Sequence, residues 1–118
     1  MNALLIVAHG SRKPDANQAL LELAMQVQAL GGQQVRCAFL QFGQPDLPTA
    51  LADLVASGAD AITIVPLVLT AGKHLEEDIR TATDTLRRDH PELTVTLSPH
   101  LGAWSGLPLA ILDLATQA

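Results

Sequence analysis

Three observations predict an α/β fold, a single doubly wound domain around a parallel sheet. Short apolar runs of strand length alternate with longer segments whose apolar residues recur at helical spacing. Glycine or proline punctuates most of the junctions. The run Ala61–Val65 is apolar on both faces apart from Thr63, as expected of a parallel strand covered on both sides. With right-handed crossovers, a four-stranded doubly wound sheet is taken in its simplest order, 2-1-3-4.

The first strand is expected over about Ala3 to Ala8. A helix follows from near Pro14 to Leu30, with Leu20, Leu23, Ala24, Val27 and Leu30 on one face. Pro14 suits a first helical turn, where its missing N–H costs nothing, and Gly31-Gly32 ends the helix. The second strand is Val35 to Leu40. Beyond a loop with Gly43 and Pro45, a helix from about Pro48 to Ser57 carries Leu51, Leu54 and Val55, with Leu47 just before it. The third strand, Ala61 to Val65, leads through an irregular stretch, Pro66 to Lys73, into a helix from His74 to Asp89. Pro91 marks its end. The fourth strand is Leu93 to Leu97, and Pro99 to Gly106 is a loop before a last helix from Leu107 to Thr116.

At 118 residues the prior is one domain, 1–118. Aromatic residues are only 3% of the chain against 48% hydrophobic, so Leu, Val, Ile and Ala must build the core. The single cysteine, Cys37, excludes an internal disulfide framework and a cysteine-rich zinc site, and points to the cytoplasm. A net charge of −5 argues against a general nucleic-acid binder, which would carry a basic face. The N-terminal apolar run lacks a basic flank and is too short for a signal peptide or membrane span, so a soluble protein is expected.

Two histidines carry the chemistry. His9 ends the first apolar strand, in Val7-Ala8-His9-Gly10-Ser11-Arg12, and His74 follows the third by about nine residues. With strands one and three adjacent, both lie near the switch point where doubly wound sheets bind ligands. Two neutral imidazoles suit cobalt, nickel, iron or zinc. Gly10 and Gly72 are expected to leave the backbone open there, Gly72 at positive φ. Arg12, Lys13, Lys73 and Arg80 near the same strand ends suggest an anionic ligand, while Glu76, Glu77 and Asp78 are explained by the dipole of the helix they open. No P-loop stands at Gly72-Lys73-His74, and no G-x-G-x-x-G follows the first strand, so no nucleotide is expected.

These residues resemble the short-form class II chelatases of the CbiX type, the sirohydrochlorin cobaltochelatase family. The resemblance spans nearly the whole chain. It rests on Val7 through Arg12, on Ala38-Phe39-Leu40 with Pro45 and Pro48, on Val65-Pro66-Leu67 through Gly72, His74 and Asp78-Ile79, and on Pro99 and Gly102. It implies ATP-independent insertion of a divalent metal (cobalt, with nickel or iron as alternatives) into sirohydrochlorin, by a homodimer. By position it makes His9 and His74 the metal-binding and proton-accepting pair. Ser11, Arg12, Gln44 and the loop Leu69, Thr70, Ala71, Gly72 and Lys73 become the substrate contacts. Gln41 and Gln44 stand where relatives often have glutamate, and Arg80 where they often have proline. Amides cannot accept protons as carboxylates do, so a non-catalytic metal or tetrapyrrole carrier is the alternative.

Overall fold

The structure is a computed structural model describing residues 1–118. Four strands, β1 (Asn2–Ala8), β2 (Gln34–Phe39), β3 (Ala61–Pro66) and β4 (Thr94–Leu97), alternate with helices α1 (Pro14–Gly31), α2 (Leu47–Ala56), α3 (Lys73–Asp89) and α4 (Leu107–Thr116). The sheet has the order β2-β1-β3-β4, and every pairing is parallel. The 2-1-3-4 expectation is therefore met, and element boundaries agree within one or two residues.

Strand alternation divides the core in two. Ala3, Leu5 and Val7 face one side with Ile62, Ile64 and Val95, where Leu51 and Leu54 of α2 and Ile79 and Leu86 of α3 cover them. Ile6 and Ala8 face the other side with Val35, Cys37 and Phe39, under Ala24 of α1. Leu5, Leu54 and Ile64 are fully buried, so truncating any of them to alanine should cost about 2–5 kcal/mol.

Local chemistry sets the ends of the elements. Pro14 opens α1 as expected, and Gly32, at φ 74°, closes it by donating its N–H to the Gln28 carbonyl. The Asp46 side chain accepts from the Thr49 N–H at 2.9 Å and caps α2, one residue ahead of the expected start. That bond holds its carboxyl below the usual range.

Two expectations are corrected. Gly72 is the N-cap of α3 with φ −71°, an extended conformation open to any residue, so no positive φ is needed there. The expected cover on both faces of the sheet is incomplete. On the α1 side, Ala61, Thr63 and Val65 of β3 are only half-buried, and Thr94 and Thr96 of β4 are exposed. The helix available to cover them, α4, buries none of its residues.

Candidate functional site

Backbone ladders carry β1 past its last strand residue and so hold His9. The Leu67 N–H donates to the Val7 carbonyl at 2.7 Å on one side. On the other, the N–H groups of Leu40 and Gln41 donate to the carbonyls of Ala8 and His9, at 3.0 and 2.8 Å. Gly10 follows at φ 97°, and a Cβ there would lie 1.7 Å from the Gln41 carbonyl oxygen. Its glycine is thus required by the approach of the protein's own β2 loop, rather than by a ligand.

His74 comes from the opposite wall, on the first turn of α3. Leu75 and Ile79 pack that turn onto the core, fixing the helix about its axis. The loop before it, Leu67 to Gly72, is braced from beneath. The Gly102 N–H donates to the Val68 carbonyl at 3.0 Å, and a Cβ on Gly102 would meet the Leu69 carbonyl oxygen at 1.6 Å.

His9, Leu69, Thr70, Gly72, Lys73 and His74 line one open cleft of about 550 Å³, with Val68 and Leu75 behind them. Both imidazoles are exposed to solvent. The remaining expected contacts lie around this cleft. Ala71 turns toward a smaller neighbouring pocket with Glu76, Arg80 and His100. Ser11 and Arg12 line a groove on the β2 side with Asn17 and Phe42. Gln44 is exposed in the β2–α2 loop, outside the lining of the cleft.

No group of three or more His, Cys, Asp or Glu side chains converges, so the protein offers no closed metal cage. Two imidazoles on one cleft can hold a divalent ion while leaving coordination positions for water or an incoming ligand. Electrostatics add a second feature. The ion pairs are Arg87–Asp84, His90–Glu92 and the N-terminal ammonium with Asp60, so Arg12, Lys13, Lys73 and Arg80 have no acidic partner. In a chain of net charge −5, Lys73 lines the cleft, Arg12 the groove on the β2 side and Arg80 the pocket with His100, while Lys13 is the N-cap of α1. A larger groove of about 680 Å³ runs between α2 and α3 but contains neither His9 nor His74. Asp46, Asp78, Asp89 and His90 are among its lining residues, but no three of them converge as metal ligands would.

Cys37 is buried under α1, and burial pushes its thiol up to about 11, which fits an inert core residue. The exposed ring of Trp104 packs on Gly106, where it anchors the start of α4. Sequence reasoning missed Asn17. Its side chain binds the backbone of both Ser11 and Phe42. An asparagine in a first helical turn is ordinary, and no local signal shows the second loop that it reaches.

The fold is that of a doubly wound α/β protein with an open cleft at its switch point, lined by two imidazoles and a lysine. The particular family follows from comparison. The sequence pattern of the CbiX family matches residues 3–118, and the chain belongs to that family. Among relatives, the sirohydrochlorin cobaltochelatase of Saccharolobus solfataricus is 37% identical over 79 residues, which cover 67% of this chain and 61% of that protein. That of Methanococcus maripaludis is 31% identical over 80 residues, covering 67% of this chain and 56% of its own length. The matched segment thus spans less than two thirds of either relative. The CbiX protein of Marinobacter aquaeolei superposes with a TM-score of 0.83 at 26% identity, covering 99% of this chain and 96% of the other. The sirohydrochlorin chelatase SirB of Bacillus subtilis subspecies spizizenii, in complex with cobalt, shares the fold. Its TM-score is 0.84 at 24% identity, covering 98% of this chain and 50% of that one.

Proposed function

We propose that this chain inserts a divalent metal into sirohydrochlorin without a nucleotide, with cobalt as the first candidate and nickel or iron as alternatives. Residues 1–118 are taken as one chelatase-like unit working in the cytoplasm, in tetrapyrrole and cobalamin biosynthesis. The observation that carries the reading is the sharing of one cleft by His9 and His74 at the β1/β3 switch point. The names of the relatives support the substrate, and the chemistry of the cleft supports the reaction.

His9 and His74 hold the incoming ion through imidazole nitrogen lone pairs. Insertion replaces water and imidazole with four ring nitrogens and releases two pyrrole protons. The two imidazoles, freed as the metal moves into the ring, can each accept one. The loop Leu69 to Lys73 forms the wall against which the macrocycle is held, with Ala71 at its far side, Ser11 and Arg12 on the β2 side, and Gln44 beyond them. Sirohydrochlorin carries eight carboxylates, and the unpaired cations are placed to meet some of them.

The partner proposed is a second copy of this chain. Leu109, Ile111, Leu112 and Leu114 of α4 are 72, 57, 64 and 65% exposed, an apolar surface unlike that of a finished monomer. The open face of β3 and β4 is the complementary vacancy. Each copy has one such helix and one such face, and reciprocal exchange closes both in a two-fold dimer. The groove between α2 and α3 is a poorer seat, since its three aspartates would repel Asp113, the charged residue of α4.

Replacing either imidazole tests the assignment. His9→Ala and His74→Ala should each slow insertion about 100-fold or more while the circular dichroism of the fold stays unchanged. Normal insertion by both variants would sink the reading. The carrier alternative is favoured by one observation, the amides Gln41 and Gln44, and it predicts stoichiometric binding of metal or tetrapyrrole without turnover.

A further inference from the structure

Asn17 is the fourth residue of α1, and its side-chain amide makes three hydrogen bonds, all to main chain. Its Oδ1 accepts from the Ser11 N–H at 2.9 Å. Its Nδ2 donates to the Ser11 carbonyl at 2.8 Å and to the Phe42 carbonyl at 2.7 Å. One planar group thus brackets Ser11 from both sides and ties it to the loop after β2. The Ser11 hydroxyl is used locally, accepting from the Lys13 N–H at 3.1 Å.

Arg12, the neighbour of Ser11, meets the side chain of Phe42. The Arg12 guanidinium carbon lies 4.6 Å from the centroid of the Phe42 ring. Phe42 has φ 51°, a left-handed conformation unusual for a bulky side chain. Such a backbone persists where surrounding bonds over-determine it, and Asn17 supplies one of them. The ring is half exposed, and Arg12 has no acidic partner. A guanidinium stacked on a ring keeps its in-plane N–H groups free for a carboxylate.

We propose that Asn17 is a positioning residue. It braces the Ser11–Arg12 turn against Phe42, so that Arg12 and the ring form a ready platform for a carboxylate arm of the macrocycle on the β2 side of the cleft. The proposal rests on the tetrapyrrole reading of the site. Asn17 touches neither imidazole, and His9 is held independently through the Gln41 N–H. Its loss should therefore weaken macrocycle binding and leave metal binding alone.

The test measures the Kd of metal-free sirohydrochlorin, by quenching of its fluorescence, together with the Kd of cobalt(II) alone. Full-length wild type, Asn17→Ala, Arg12→Ala and the double variant are compared, with melting curves confirming the fold. Asn17→Ala should weaken sirohydrochlorin binding about tenfold, the range of a lost charge-assisted contact. In turnover it should raise KM and leave kcat within about threefold. Its cobalt Kd should stay within about twofold of wild type. The double variant should be no worse than Arg12→Ala, because the asparagine acts through the arginine. Unchanged sirohydrochlorin binding in folded Asn17→Ala overturns the proposal, as do strictly additive losses or a parallel loss of cobalt binding. If Asn17→Ala does not fold, Asn17→Asp replaces it, keeping the acceptor for Ser11 but losing both donations. Wild type that binds no sirohydrochlorin overturns the tetrapyrrole reading and this proposal together, whereas wild-type binding equalled by the variant overturns this proposal alone.

Discussion

Gly10 shows what a single residue next to His9 must tolerate. Its φ of 97° and the Gln41 carbonyl at 1.7 Å from any Cβ make alanine doubly unsuitable. Gly10→Ala should cost about 1–3 kcal/mol, read as a lower midpoint in urea, and an unchanged midpoint would contradict the packing described. The sequence marks Gly10 as special by its place after a strand and a histidine. It cannot show the reason, because the clashing carbonyl is far along the chain and arrives only when β2 pairs with β1. Cys37 is legible in full, since a lone cysteine in an apolar strand is ordinarily core. Its thiol, raised from 9.0 to about 11, should resist a maleimide at neutral pH until the protein unfolds. The linkage has a definite sign. The unfolded thiol ionises first, so this group's contribution to stability is complete below about 9 and declines as pH rises toward about 11.

Among the elements, the strands and α1 to α3 follow from apolar period and from Pro and Gly punctuation. The sheet order goes beyond these signals: it rests on assuming the simplest doubly wound arrangement, and the structure has that order. The irregular stretch after β3 could not be resolved in this way. Its shape depends on the turn Leu101–Ala103, which lies against it and which no local signal connects to it. Gly102 is the point of contact. Gly102→Ala must push the Leu69 carbonyl aside, and Leu69 lines the cleft with both histidines. The expected outcome is an insertion rate reduced at least tenfold, in a protein that retains its far-ultraviolet dichroism. A wild-type rate would mean that the loop's form does not matter to the chemistry. α4 is legible in the sequence simply as the last helix, Leu107 to Thr116. Its apolar residues run all round the helix and its polar residues are too few for a solvated surface, an imbalance that supports the proposed dimer.

At the scale of the molecule, the two faces of the sheet are unequal. The side under α2 and α3 is closed, whereas the α1 side is open over β3 and β4. Sedimentation equilibrium should give twice the 12.5 kDa chain mass for the wild type. Leu112→Asp, which places a charge on the apolar face of α4, should shift the protein toward monomer. A wild-type monomer at micromolar concentration would remove the exchanged-helix dimer.

The central claim is metal insertion at the His9–His74 cleft. It is tested most directly by the visible spectrum of sirohydrochlorin mixed with catalytic amounts of protein and cobalt(II), nickel(II) or iron(II) in turn, without oxygen or nucleotide. Many turnovers per chain, faster than the protein-free reaction and fastest with cobalt, are predicted. No acceleration with any of the three metals, by protein that demonstrably binds sirohydrochlorin, would contradict the claim and leave the carrier reading in its place.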